Sequence, residues 1–167
     1  QAYNISLSAA DQETENPEVT TFAGSGSTGS TNATGTSASF NLPRDITTDG
    51  TNLYVADRSN HTIRKIVIST GAVTTLAGSG TAGSTDTTGT AAKFYYPRGI
   101  TTDGTNLYVA DTHNHKIRKI VISTGAVTTF AGSGSYGSTD GTGTSATFYN
   151  PRGITTDGTN LYVVDSS

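Results

Sequence analysis

Short runs of β-branched and aromatic residues, separated by turns that contain glycine, recur along the chain. Within residues 97–132 they predict four strands, at residues 99–103, 106–111, 115–123 and 126–131. Asp103-Gly104 and Thr124-Gly125 are typical of the tight turns that join antiparallel neighbours. No stretch has the 3.6-residue period of an amphipathic helix. The pattern therefore predicts four antiparallel strands joined by three hairpins.

The same pattern returns at a fixed spacing of 54 residues. Pro43-Arg44-Asp45-Ile46-Thr47-Thr48-Asp49-Gly50 recurs at Pro97 and again at Pro151 with one residue changed. Residues 43–96 and 97–150 differ at only 11 of 54 positions, most of them in predicted loops. Such a period is typical of a repeat architecture in which neighbouring units share one core. We therefore predict a single domain over residues 1–167.

The third strand of the repeat indicates how the units pack. Ile120, Val121 and Ile122 follow one another, so apolar side chains leave both faces of the sheet. A sheet that is covered on both faces by copies of itself is a blade of a β-propeller, whereas a sandwich would bury one face only. The fold class is therefore predicted to be all-β, a propeller of four-stranded antiparallel blades. The predicted packing between blades uses Ile100, Leu107, Tyr108, Val109, Ile117, Val127 and Phe130.

Three segments of the repeat resemble a known family. They are Pro97-Arg98-Gly99-Ile100, Asn106-Leu107-Tyr108-Val109-Ala110-Asp111 and Asn114-His115-Lys116-Ile117-Arg118-Lys119-Ile120. Together they resemble the NHL repeat, a propeller blade named after an Asn-His-Leu signature. The third signature position is Thr62 or Lys116 instead of Leu. The resemblance implies a propeller of about six blades, and a structural role for His61 and His115.

The chain is out of phase with its own repeats. Residues 1–42 are predicted to hold a third and a fourth strand, residues 43–96 and 97–150 to form whole blades, and residues 151–167 to hold a first and a second strand. About three blades cannot close a ring, so the split blade leaves unpaired edges. The predicted assembly strands carry Tyr3, Ile5 and Leu7 at one end and Leu161, Tyr162 and Val163 at the other.

Two functions follow from this architecture. The preferred expectation is a structural, self-assembling scaffold, in which complementary half-blades join chains into a closed six-bladed dimer or a fibre. The chain could instead be an excerpt of a longer repeat array. The alternative function is a ligand-binding module for a carbohydrate, a small anion or a protein, which would use the long loops at residues 78–96 and 132–150.

Three arginines are the candidate ligand-binding residues. Arg44, Arg98 and Arg152 stand just before the innermost strand of each unit, so in a ring they would converge on one mouth of the central channel. Guanidinium groups there could bind a carboxylate or a phosphate through paired hydrogen bonds. The interpretation we prefer is that each arginine pairs with an Asp or a carbonyl of the neighbouring blade.

Composition argues against several other functions. The chain has ten Lys and Arg, thirteen Asp and Glu, and a net charge of −3, which disfavours a nucleic-acid surface. No apolar run is long enough for a membrane helix, so no membrane insertion is expected. No metal site, cofactor motif or catalytic constellation is found, so we expect no enzyme activity and no cofactor. Arg64 and Arg118 alternate with core residues along the third strand and are predicted to be solvated at the blade edge.

The absence of cysteine and the abundance of Ser, Thr and Gly are compatible with folding outside the cell. We therefore expect an extracellular or cell-surface location.

Overall fold

The computed structural model describes residues 1–5 and 18–166, and for Asn4 and Ile5 only the backbone. Residues 6–8, which include the predicted assembly residue Leu7, lie outside the described residues. Two four-stranded antiparallel sheets occupy the centre of the chain, and a two-stranded sheet precedes and follows them. The fold is therefore all-β with the predicted four-stranded antiparallel units.

The strands follow the chain order within each sheet. The first two-stranded sheet pairs β1 (Ala2–Ile5) with β2 (Val19–Ala23). Sheet one contains β3 (Ile46–Thr48), β4 (Asn52–Asp57), β5 (Thr62–Val67) and β6 (Val73–Ala77). Sheet two contains β7 (Pro97–Thr102), β8 (Asn106–Asp111), β9 (Lys116–Val121) and β10 (Val127–Ala131). The last sheet pairs β11 (Gly153–Thr156) with β12 (Leu161–Val164).

Within residues 1–5 and 18–166, five single-turn 3-10 helices lie in the connections. They span Gly35–Ser37, Arg58–Asn60, Gly89–Ala91, Thr112–Asn114 and Gly143–Ser145. No helix in residues 1–5 and 18–166 is long and apolar enough to cross a membrane.

The sheets pack face against face along the chain. β7 lies against β3 on one side and against β11 on the other. The largest core joins Tyr54 and Ile63 of sheet one to Leu107 and Val109 of sheet two, with Phe94 of the connecting loop inserted between them. Asp45 adds a polar contact, because its Oδ2 accepts a hydrogen bond of 2.9 Å from the backbone N–H of Ile100.

Most of the predicted packing set is buried, with one clear correction. Ile100, Leu107, Val109, Ile117 and Val127 are almost fully buried. Phe130, however, is 47% exposed and stacks edge-on against Tyr108 at a centroid distance of 5.3 Å. The prediction that Phe130 packs between sheets is wrong, because its side chain is exposed and its ring contact is with Tyr108 of the same sheet.

The long loop after β6 is anchored to the next sheet by backbone hydrogen bonds. After β6 the chain runs along β10 of the next sheet, where Val127 N donates to Thr87 O at 2.8 Å and Gly89 N donates to Gly125 O at 2.9 Å. The expected binding surface is therefore smaller than the whole loop.

Candidate functional site

A buried polar network fixes the loop between the second and third strands of each sheet. In sheet two the carboxylate of Asp111 accepts hydrogen bonds from Tyr95 N at 2.7 Å, Asn114 Nδ2 at 2.7 Å and Arg118 Nη1 at 2.8 Å. Both Asp111 and Arg118 are fully buried. Asp57, Asn60 and Arg64 repeat the arrangement in sheet one. A buried ion pair that has no contact with water therefore fixes this loop.

Each buried arginine also binds the preceding long loop. Arg118 donates to Lys93 O at 2.9 Å, to Thr85 O at 3.2 Å and to Asp86 Oδ1 at 2.5 Å. The prediction that Arg64 and Arg118 are solvated is wrong, because the loop from the preceding repeat covers their side of the sheet. The spacing Asp-x-x-Asn-x-x-x-Arg, which the sequence holds twice, was the signal for this network.

Burial also affects the acid of this network. Burial raises the pKa of Asp111 to about 6, although the charge of Arg118 and the hydrogen bonds from Asn114 and Tyr95 N act to lower it. At neutral pH the carboxylate is therefore ionised and paired with Arg118.

The two histidines link neighbouring units. His61 and His115 both adopt the left-handed conformation, with φ of 55°. Their Nδ1 atoms accept hydrogen bonds of 3.1 Å from Tyr96 N and Asn150 N, the residues just before the next first strand. Because Nδ1 is an acceptor, the proton of the neutral ring is on Nε2. The implied structural role of these histidines is thus to hold the start of the following repeat.

The three predicted arginines lie on the face formed by these loops, and a fourth joins them. The pKa of Arg98 is lowered by burial and by the nearby charges of Arg152, Arg58 and Arg44. We call these four residues the arginine cluster. A guanidinium keeps its proton even when its pKa is lowered, so four positive charges remain close together.

The arginine cluster has no neutralising partner in residues 1–5 and 18–166. The ion pairs of that part of the chain involve only Arg64 and Arg118. Pairing with an Asp or a carbonyl of the next unit is not observed there for Arg44, Arg98 or Arg152. Their role in ligand binding stays a prediction. Arg58 was missed because the second copy has Thr112 at that position.

Aromatic rings continue the face next to the arginine cluster. Arg58 lies 4.3 Å from the centre of the Tyr96 ring. The rings of Tyr95, Tyr96, His61 and His113 pack together at centroid distances of 4.7–5.7 Å. These contacts hold the aromatic side chains in one group beside the positive charges.

An open cleft of about 570 Å³ lies between the loop that follows β8 and the segments that precede β7 and β11. We call it the aromatic cleft; its lining residues are Tyr95, His113, His115, Tyr136, Tyr149 and Asn150. Its tyrosines are 37%, 74% and 43% exposed in chain order. The pKa of His113 is lowered by burial and by the charges of Arg58 and Arg98. The ring is therefore neutral near pH 7 and lies within electrostatic reach of the arginine cluster.

No metal centre is present in the described part of the chain: no group of three or more His, Cys, Asp or Glu side chains converges there. Asp86, which a calcium loop would need, is already bound to Arg118 and accepts from Thr129 N at 3.0 Å.

The predicted assembly strands lie at the two ends of the row of sheets. Tyr3 and Tyr162 are 57% and 55% exposed, whereas Leu161 and Val163 are half-buried. Ile5 is described only in its backbone, and Leu7 lies outside the described residues. Ile46 of β3 is 46% exposed, although its equivalents Ile100 and Ile154 are 3% and 8% exposed. The side of β3 that faces away from β7 is therefore uncovered.

Comparisons with known proteins agree with the repeat pattern. The family profile described as NHL repeat matches residues 94–120. NHL repeat-containing protein 2 of Gallus gallus is 36% identical over 127 residues, which cover 69% of this chain and 18% of that protein. The chain therefore spans less than a fifth of that relative's length.

Solved structures agree with the fold. A protein of unknown function from Bacteroides thetaiotaomicron aligns with a TM-score of 0.74 and 27% identity, over 91% of this chain and 38% of that one. An auxiliary nutrient binding protein from the same species aligns with a TM-score of 0.64 and 25% identity, over 72% of this chain and 34% of that one. The repeat motif, the antiparallel four-stranded sheets and these relatives agree, and the chain belongs to the NHL-repeat family.

Proposed function

We propose that this chain is a binding module without catalytic activity that takes an anionic ligand at the arginine cluster. The observation that carries the proposal is the cluster itself. Four guanidinium groups share one face of a chain whose net charge is −3, and none has an ion-pair partner in residues 1–5 and 18–166. Unneutralised like charges cost free energy, so an arrangement that keeps them together favours an anion as occupant.

The scaffold supports this function because the face is rigid. The loops under the cluster are tied to buried ion pairs, and the residues before Pro97 and Pro151 are held by histidine hydrogen bonds. A binding site that is ordered before the ligand arrives loses less conformational entropy on binding. The similarity to an auxiliary nutrient binding protein also favours ligand binding over catalysis. We propose an extracellular or cell-surface location from the composition of the chain.

Citrate is a suitable first probe, because its carboxylates match guanidinium groups and it has no aromatic or sugar ring. We expect citrate to bind in calorimetric titration, and Arg98→Gln to weaken binding about tenfold or more. Lys119→Gln is the control, since it removes the same charge from the middle of β9. The proposal fails if citrate does not bind, or if both variants lose affinity equally.

A second candidate function is self-association through the end sheets. We propose that two copies of the 167-residue chain complete each other's blades, in a closed six-bladed dimer or in a fibre. β1 pairs with β2 in the register of the third and fourth strands of sheet one, whereas β11 and β12 correspond to its first and second strands. The two end sheets are therefore complementary halves of one blade.

The exposed side of β3 favours the same association. A cavity of about 260 Å³ lies between β1 and β3 and is lined by Ala2, Tyr3, Phe40 and Ile46 among others. Strands β11 and β12 of another copy would fill this cavity and cover Ile46, in the same way that β3 covers Ile100. Burial of this apolar surface would stabilise the joint.

Light scattering after size exclusion tests this candidate. We expect a particle of at least twice the chain mass, and we expect Ile46→Asp to reduce it to one chain. Ile68→Asp changes an isoleucine that is also exposed, at 39%, but lies outside the joint, and it should leave the mass unchanged. A monomer for the unmodified chain would contradict self-association without affecting the anion site.

A further inference from the structure

We infer that the aromatic cleft is a subsite for an acidic saccharide, a sugar chain that carries uronate carboxylates. The inference rests on the proposed function, because it places the carboxylate of this ligand at the arginine cluster. It adds the chemical class of the ligand and the residues that would contact its rings.

The differences between the two near-identical repeats point to this cleft. Residues 43–96 and 97–150 differ at only 11 positions. Four of these exchanges change a residue of the arginine cluster or the aromatic cleft: Arg58 and Thr112, Ser59 and His113, Ala82 and Tyr136, Tyr96 and Asn150. The repeats have therefore kept one scaffold while the side chains on this face diverged in charge, size and aromatic character.

The cleft has the polar groups that a hydroxyl-rich ligand requires. The hydroxyls of Tyr95, Tyr136 and Tyr149 make no hydrogen bond to the described residues, and the Asn150 amide also lines the cleft. His115 offers its Nε2–H group as a donor, because its Nδ1 already accepts a hydrogen bond from Asn150 N and the ring proton is therefore on Nε2. Donors and acceptors are thus interspersed along one surface.

The same side chains offer the apolar surface that sugar rings need. Tyr136 and Tyr149 pack edge to face with a centroid distance of 6.1 Å, and the ring of His115 lies within 6.3 Å of both. The C–H groups of a pyranose face are apolar and slightly positive, so they pack favourably on the negative face of an aromatic ring. Tyrosine supplies such area at a low cost in side-chain entropy.

The position of the arginines makes the saccharide an acidic one. His113 lines the cleft and its ring lies 4.8 Å from that of Tyr96, and Arg58 lies 4.3 Å from the centre of the same Tyr96 ring, so the arginine cluster borders the cleft. A guanidinium group binds a planar carboxylate through two parallel hydrogen bonds. A chain of sugars in the cleft would therefore direct a uronate group towards Arg98.

A single-stranded nucleic acid also combines rings with negative charge, but the surface fits it less well. A nucleic-acid backbone needs a row of basic side chains that follows its phosphates. Here Arg44 and Arg152 are exposed, Arg58 and Arg98 are half-buried, and the four form one cluster, whereas Arg64 and Arg118 are buried under the loops.

Calorimetric titration tests the inference with four probes, which are trigalacturonate, galactotriose, citrate and an oligouridylate. The informative variants are Tyr136→Ala and His113→Ser, because each introduces the residue that the first repeat already has at the equivalent position. Phe130→Leu is the matched control, since it makes the same kind of exchange outside the cleft. Thermal unfolding of every variant should match the parent within a few degrees.

We expect trigalacturonate to bind at least tenfold more tightly than citrate or galactotriose. Tyr136→Ala and His113→Ser should each weaken trigalacturonate binding about threefold to tenfold and leave citrate binding unchanged, whereas Phe130→Leu should change neither. Equal affinity for citrate and trigalacturonate, with no effect of the two cleft variants, would overturn the saccharide inference and leave the anion site standing. Tighter binding of galactotriose or the oligouridylate would also overturn it. Absence of binding by every anion would remove the proposed function as well.

Discussion

The ion pair between Asp111 and Arg118 should be the largest single polar contribution to the stability of sheet two. Asp111→Ala removes the carboxylate that accepts from Tyr95 N, Asn114 Nδ2 and Arg118 Nη1. Asn114 Nδ2 and Arg118 Nη1 keep Gly83 O and Lys93 O as acceptors, but Arg118 loses its fully buried counter-ion. Removal of one partner of a buried ion pair costs about 3–5 kcal/mol. Asp86 still binds Nη2 of Arg118, so we expect about 3 kcal/mol, the lower end of this range.

The third repeat provides a control at the same motif position. Asp165 accepts hydrogen bonds from Tyr149 N at 2.8 Å and from Ser166 N at 3.2 Å, and no cation pairs with it in the described chain. Asp165→Ala should therefore cost about 1 kcal/mol, the typical value for a hydrogen bond.

Thermal and urea unfolding followed by circular dichroism would measure both changes. For a chain of this size, 1 kcal/mol shifts the unfolding temperature by about 2–4 °C. Asp111→Ala should therefore lower it by roughly 10 °C and Asp165→Ala by only a few degrees. Both should be compared at a protein concentration where the variants have the same mass by light scattering. Equal losses would refute the conclusion that the buried arginine makes this position critical.

Three further predictions concern packing and pH. Gly99→Ala should destabilise the chain by about 2 kcal/mol, because an added Cβ would collide with the carbonyl oxygen of Arg152. Gly153→Ala should be nearly neutral, since the atom nearest to an added Cβ lies 3.5 Å away. Urea unfolding would measure both changes. Burial raises the pKa of Asp103, but hydrogen bonds from neighbouring backbone and side-chain groups outweigh this and lower it to about 2. Its stabilisation is therefore complete above about pH 4 and is lost as pH falls towards about 2, so Asp103→Asn should flatten the acid limb of an unfolding titration by about 1 kcal/mol. His113 gains a proton only below its usual pKa of about 6.5 and then adds positive charge to the cleft. Titrations should therefore show tighter trigalacturonate binding at pH 5 than at pH 7, and no such change in His113→Ser.

Much of the fold follows from local patterns in the sequence. The strand at Asn106–Asp111 was predicted with its observed bounds, and the third strand, predicted at residues 115–123, is shorter at Lys116–Val121. It begins later because His115 closes the preceding turn in the left-handed conformation. Phe94, which follows a Gly-rich loop, is fully buried between sheets one and two. These features depend on the alternation of apolar and polar residues and on turn residues, and a repetitive sequence shows both several times.

The buried network and the candidate site were harder to predict because they depend on contacts between repeats. Arg118 is polar and lies on a strand, and only the loop from the preceding repeat makes its position internal. Arg58 follows β4 of sheet one and Tyr96 precedes β7 of sheet two, and they meet 4.3 Å apart only after the sheets have packed. The recurrence of Arg44, Arg98 and Arg152 predicted the cluster, whereas His113 and Tyr136 of the aromatic cleft have no equivalent in the first repeat, which holds Ser59 and Ala82 there.

Amide chemical-shift mapping by NMR during a trigalacturonate titration tests the central claim most directly. The central claim is that the arginine cluster and the aromatic cleft together form the ligand site. We predict that the largest shifts fall at residues 95–98, 112–115 and 149–152, which hold most of the aromatic cleft and two residues of the arginine cluster. Shifts confined to the opposite turns at residues 49–52, 103–106 and 157–160, or to the edges of β1 and β12, would contradict it.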